Sequence, residues 1–120
     1  MRTGIMGTRR VFAGLALVLL GAAVVARADA QADDTPQTVE ISIQNYRFHP
    51  PRAAIKSGTT VKWINNEKLT SHSVLFAAER LESDRLFPGE SWQRRFDKPG
   101  QYVYGCGPHP EMSGVIDVAE

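Results

Sequence analysis

One cysteine, Cys106, stands in a chain of 120 residues, so no disulfide can form within it. An excess of charge of either sign is also missing. Fourteen basic and thirteen acidic residues give a formal net charge of +1. That balance implies neither nucleic acid nor an anionic membrane surface as a partner. No apolar run reaches the roughly 20 residues of a membrane-spanning helix. The longest, Val11 to Val25, covers 15. There is no internal repeat, and the length leaves room for one domain and no second core.

The apolar run has the layout of an export signal. Arg2, Arg9 and Arg10 precede it, and small residues ending at Ala28, Ala30 or Ala32 offer cleavage sites. Thr8, Arg9, Arg10 and Phe12 match part of a twin-arginine signal, without the usual Leu-Lys after it, so both export routes stay open. No cysteine follows the run, which excludes a lipoprotein anchor. Residues 1–30 are expected to be a signal peptide and the protein to be periplasmic; an uncleaved anchor is the alternative. Residues 31–120 carry 10 basic and 12 acidic groups. Export makes the single cysteine informative, because an oxidising compartment is a poor place for an unpaired thiol. Cys106 must be buried, ligated, or paired with another molecule.

Residues 31–37, QADDTPQ, read as a flexible leader. The domain is expected over 38–120. TVEISIQN (38–45) alternates, with Val39, Ile41 and Ile43 on one face. TTVKWIN (59–65), HSVLF (72–76), ESWQRRF (90–96), QYVYGC (101–106) and GVIDVA (114–119) are further candidate strands. A short apolar stretch after Pro50 and Pro51 adds another. DKPG is expected to be a hairpin turn between 96 and 101. Ala77 to Leu86 has helical flavour for a turn or two. Seven to eight short strands in about 90 residues predict an all-β, antiparallel, two-sheet sandwich. Such a small core wants a staple, and a bound metal can supply what disulfides cannot.

In CGPHPEM, Cys106, His109 and Met112 are spaced C-x2-H-x2-M. Thiolate, imidazole and thioether make a soft set. Thioether is a poor zinc ligand, so the set points to copper. One Cys, two His and a weak axial Met form the blue-copper arrangement, which needs a second histidine. His49 and His72 are available. His72 follows a strand and a polar loop, where it can meet the 106–112 loop at one end of a sandwich. His49, between Phe48 and two prolines, suits a surface or packing role better. Other readings are an inert buried thiol and a Cys–His nucleophile pair. The first leaves the His and Met spacing unexplained, and the second lacks an oxyanion site. Glu67, Lys68, Glu79, Arg80, Glu82, Asp84 and Arg85 read as a solvated surface of mixed sign.

TTVKWINNE, SHSVLF and GQYVYGCGPHPEMSGVIDV together resemble the cupredoxins, the type 1 copper proteins that include plastocyanin, pseudoazurin and amicyanin. The resemblance runs from about Thr38 to the end, and its Cys-to-Met spacing is most similar to amicyanin. It implies an eight-stranded Greek-key sandwich and one copper ion held by His72, Cys106, His109 and Met112. It also implies electron transfer with transient protein redox partners. The protein is expected to be a monomer with no small-molecule substrate, and no enzyme, because four protein donors would fill the metal's positions. A copper carrier or buffer is the alternative. Two positions depart from the pattern. Ser71 replaces the proline common before the first His, and Ser73 replaces the Asn that bridges the two ligand loops. The 65–71 loop is also a residue longer. Pro108 and Pro110 stiffen the ligand loop. Gly105 and Gly107 are expected to let backbone pass close to the metal, and Gly114 to let the chain turn into the last strand.

Overall fold

A computed structural model of the chain describes residues 35–120 and, before them, only positions 4, 14, 16 and 21–23. The expected signal peptide and residues 31–34 of the leader thus lie almost wholly outside the described residues. The strands are β1 (Thr38–Gln44), β2 (Arg47–His49), β3 (Arg52–Lys56), β4 (Thr59–Asn65), β5 (Leu75–Phe76), β6 (Leu81–Glu82), β7 (Ser91–Phe96), β8 (Gly100–Gly105) and β9 (Ser113–Ala119). They form two sheets, ordered β2-β1-β4-β7 and β3-β9-β8-β5-β6. The region of helical flavour holds a single 3-10 turn, Ala77–Glu79, between β5 and β6.

Alternation drives this layering. Along β1, Ile41 and Ile43 are buried and Val39 packs against them. Along β4, Val61 and Trp63 are fully buried. Side chains from both sheets meet in one apolar cluster. Trp63 from the first sheet lies 6.0 Å from Phe76 and 5.4 Å from Tyr104, both of the second, ring to ring. Each such side chain withdrawn from water contributes about 1.5–3 kcal/mol before entropy is counted.

The sandwich forms as expected, with nine strands among the described residues and three local differences. First, two neighbouring pairs are parallel: β1 with β4, and β3 with β9. Second, DKPG is not a hairpin. β7 pairs with β4, and β8 pairs with β9 and β5, so this turn carries the chain from one sheet to the other. A tight turn between two strand-like runs looks the same in sequence whether the partner strand is adjacent or opposite. Third, HSVLF is strand only at Leu75–Phe76, with His72 making one isolated bridge to Leu86. The chain changes sheet again at Pro50 and Pro51, which lack the N–H groups that would continue a ladder.

Arg94 faces inward, and its guanidinium sits 4.5 Å from the Phe76 ring centre and 4.6 Å from that of Phe96. Both of its terminal nitrogens donate to the Glu79 carboxylate, at 2.6 and 2.9 Å. Glu79 is therefore a tied group at the edge of the core, and this bond holds its carboxyl below the usual range.

Gly114 lies in β9 opposite Tyr104 of β8. It does not serve a chain reversal. A Cβ there would overlap the Tyr104 ring. Tyr104 is wedged against Phe48, Trp63 and Phe76, so the ring has nowhere to go. Gly114→Ala is expected to lower stability by about 1–3 kcal/mol, read as a lower denaturant midpoint. The Tyr104 hydroxyl and Trp63 Nε1 are buried without a hydrogen bond of ordinary geometry. Burial pushes the Tyr104 phenol up to about 12, with nearby Trp63 offsetting a little of that rise. An unfolded tyrosine loses its proton near pH 10. Folding stability should therefore hold below about pH 10 and fall as pH rises toward 12. Tyr104→Phe should make that alkaline fall shallower in urea titrations at stepped pH.

Candidate metal centre

The centre is assembled at one end of the sandwich, where β1, β4 and β8 finish and β9 begins. His72 is held from both sides by backbone bonds, its N–H to Leu86 O at 3.0 Å and Leu86 N–H to its own carbonyl at 2.7 Å. The loop leading to it is tied by Asn65, a fully buried side chain at the end of β4. Asn65 Nδ2 donates to Thr70 O and Leu86 O, both at 2.9 Å, and Oδ1 accepts from Glu67 N–H. Cys106 follows the last residue of β8. His109 and Met112 share a tight turn closed by Met112 N–H to His109 O at 3.0 Å. β9 then starts at Ser113, so the β8–β9 ladder fixes both ends of this loop.

Three donor atoms converge. Cys106 Sγ lies 3.6 Å from both His72 Nδ1 and His109 Nδ1, and the two Nδ1 atoms are 3.1 Å apart. His72 and Cys106 are buried, while His109 is partly exposed. Met112, next along the loop, is also buried. Metal bonds of about 2.0 Å to nitrogen and about 2.3 Å to sulfur, spread at 120°, put donors about 3.5–3.7 Å apart. The two sulfur–nitrogen distances of 3.6 Å match one ion within the triangle, and the nitrogens stand somewhat closer to each other than that spacing. His49 stays outside, its Nε2 3.1 Å from the Gln44 carbonyl oxygen.

The surrounding bonds set the state of each donor. His72 Nε2 lies 3.2 Å from Glu67 Oε1. An imidazole that donates from Nε2 leaves the Nδ1 lone pair free for a metal. Burial pushes the His72 imidazole below its ordinary range, against the pull of Glu67, so the ring stays neutral and able to ligate. Burial raises the Glu67 carboxyl, but bonds from Tyr46 N–H and His72 outweigh it and the net shift is downward. Burial raises the Cys106 thiol, offset in part by Ser73 N–H, which donates to Sγ at 3.3 Å. A metal ion displaces such a proton on ligation.

Several contributors were hidden in the sequence. Glu67 and Glu82 read there as solvated surface, yet Glu67 orients His72 and Glu82 accepts from the Ser73 hydroxyl at 2.7 Å. Ser73, despite its short reach, does join the ligand loops, because its hydroxyl also accepts from Gly107 N–H at 2.9 Å. Gly107 leaves room for this bridge: a Cβ there would overlap the Glu82 carboxylate and crowd Ser73 Oγ. Tyr46 was also missed. Asn45 and Tyr46 take left-handed φ values of 53° and 56° in the β1–β2 turn. The Tyr46 ring stands edge-on to His72 and His109, at 5.6 and 5.0 Å. Asn at a two-residue turn was the one available signal for that hairpin.

Known proteins place this geometry. The family model described as copper binding proteins, plastocyanin/azurin family, matches residues 36–119. Amicyanin-alpha of Methylorubrum extorquens is 33% identical over 112 residues, covering 88% of this chain and 93% of the relative. Plastocyanin of Scenedesmus fuscus is 37% identical over 84 residues, covering 59% and 85%. A reduced amicyanin variant superposes with a TM-score of 0.65 at 28% identity, over 68% of this chain and 82% of that one. A copper-containing nitrite reductase from Thermus scotoductus superposes with a TM-score of 0.64 at 31% identity, but only 22% of its length is covered. With the family model matching residues 36–119 and a relative 33% identical over 88% of its length, the chain belongs to the plastocyanin/azurin family of copper-binding proteins.

Proposed function

We propose that the protein is a periplasmic type 1 copper electron carrier, with one copper held by His72, Cys106, His109 and Met112. The convergence of the Cys106 sulfur and two imidazole nitrogens carries this reading. Residues 1–30 are the export signal, 31–37 the leader and 38–120 the copper domain. When bound, copper supplies a one-electron couple between Cu(I) and Cu(II).

The chain's own residues make that couple usable. Glu67 fixes the His72 tautomer and Ser73 N–H steadies the Cys106 sulfur. Sheet ladders on both sides of the ligand loop resist rearrangement when the charge changes. The partly exposed His109 edge offers the route for the electron. Pro108 and Pro110 beside it provide apolar surface for brief encounters with a redox partner. Four protein donors leave no open position for a substrate, so the domain is no enzyme by itself. The carrier reading uses the same ligands but requires the metal to leave easily. The buried, tied positions of His72 and Cys106 disfavour it.

Cu(II) added to the purified mature protein should produce a strong visible charge-transfer band that a mild reductant bleaches reversibly. No such band, with copper quickly lost to a chelator, would favour the carrier. In the same assay, Met112→Leu should keep the colour and change the potential, and His49→Ala should keep the colour. Glu67→Ala should weaken copper binding by about 10–100-fold in chelator competition, because His72 loses its orienting partner.

A further inference from the structure

Ser73 has one hydroxyl proton and a choice of acceptors. Its side chain is 1% exposed, and it lies beside Cys106, to whose sulfur its own N–H already donates. The hydroxyl also faces Glu82 Oε1 at 2.7 Å and the Gly107 N–H at 2.9 Å. A carboxylate only accepts and an N–H only donates, so the direction of the chain is fixed: Gly107 N–H to Ser73 Oγ, Ser73 O–H to Glu82. The seat for the carboxylate is built in, since any side chain at position 107 would overlap it. Without Glu82 the hydroxyl proton loses that acceptor, and the Cys106 sulfur, which Ser73 N–H already meets at 3.3 Å, is the electron-rich atom beside it. A second donor on the sulfur would draw off electron density, weaken its bond to the oxidised ion and raise the potential.

We propose that Glu82 is a positioning residue of the copper centre: it takes the Ser73 hydroxyl proton, locks that hydroxyl as the acceptor for Gly107 N–H, and keeps it from donating to the Cys106 sulfur. This role rests on the copper reading above. It also gives the Ser73 departure a purpose, because Ser73 and Glu82 together bridge the ligand loops.

The test is a double-mutant cycle on the copper-loaded protein, read by the energy of the charge-transfer band and by the reduction potential. Glu82→Ala should raise the potential and move the band to higher energy. In a Ser73→Ala background the same substitution should leave the band in place, since no hydroxyl remains to turn. Glu82→Gln, whose amide oxygen can accept the same bond, should restore the wild-type band. In the apoprotein, the Gly107 amide should exchange faster in both Glu82→Ala and Ser73→Ala, with thermal unfolding as the check on folding. A band shift that survives in the Ser73→Ala background would overturn the proposal in favour of bare charge. So would an unchanged band in Glu82→Ala, or an unchanged Gly107 amide. A wild-type protein with no blue band would instead sink the copper reading, and this role with it.

Discussion

The structure depends on keeping three electron-pair donors together in a place where they gain little from each other. Two imidazole nitrogens 3.1 Å apart and a sulfur 3.6 Å from each point at a common centre, largely out of water. Polar atoms so placed lose solvation without a full set of partners. The fold must therefore hold them there, and it does so with backbone. The paired bonds between His72 and Leu86 fix one ligand to the segment before β7, and the β8–β9 ladder fixes the loop that carries the others. A soft cation turns this unfavourable arrangement into a favourable one, which is how the metal comes to act as the staple that one cysteine cannot provide.

The two sheets make the convergence possible through strand direction. β1 and β4 run parallel, so both leave their sheet at the same end. The turn after β1 brings Tyr46, and the loop after β4 brings Glu67 and then His72. β8 and β9 run antiparallel, so the end of one and the start of the other meet at one end with Cys106, His109 and Met112 between them. His72 and Cys106, 34 residues apart in sequence, become neighbours because β5, which follows His72, pairs with β8, which precedes Cys106, with Leu75 opposite Gly105. Tyr46 N–H and His72 share the Glu67 carboxylate, which joins the β1–β2 turn to the His72 ring.

The meeting of Cys106 with His109 was legible because the spacing is local. C-x2-H-x2-M packs three soft donors into seven residues, and few structural needs would do so. The strands were legible from alternation, as in Val39, Ile41 and Ile43. What surrounds the ligands was not. Glu67 sits five residues before His72 in a loop, a spacing that no regular element turns into a contact. Glu82 reaches Ser73 only because β6 pairs with β5. Exposed acids look alike in sequence whether they face water or a buried hydroxyl. The sheet crossing at DKPG was missed for a related reason: a turn's residues specify its own dihedrals and not which sheet receives the next strand. Gly107 and Gly114 must be glycine for reasons the sequence does not carry, because the neighbours that require it, Glu82 and Tyr104, are set by tertiary packing.

The distribution of burial around the centre bears on what the copper does. His72, Cys106 and Met112 are each no more than 2% exposed, and only His109 opens to solvent. Releasing the ion would require moving a buried imidazole tied to Leu86 and Glu67, or a buried sulfur that follows directly on β8. Passing an electron requires neither, because charge crosses a bonded ring edge while the donors stay in place. The same ties that slow metal exchange also limit rearrangement between the two oxidation states, and slow exchange with small rearrangement is what an electron carrier needs. Ser73 extends this logic to the sulfur. Its N–H is a fixed donor, while its hydroxyl proton goes to Glu82, so a residue outside the donor set governs one of the bonds the thiolate can accept.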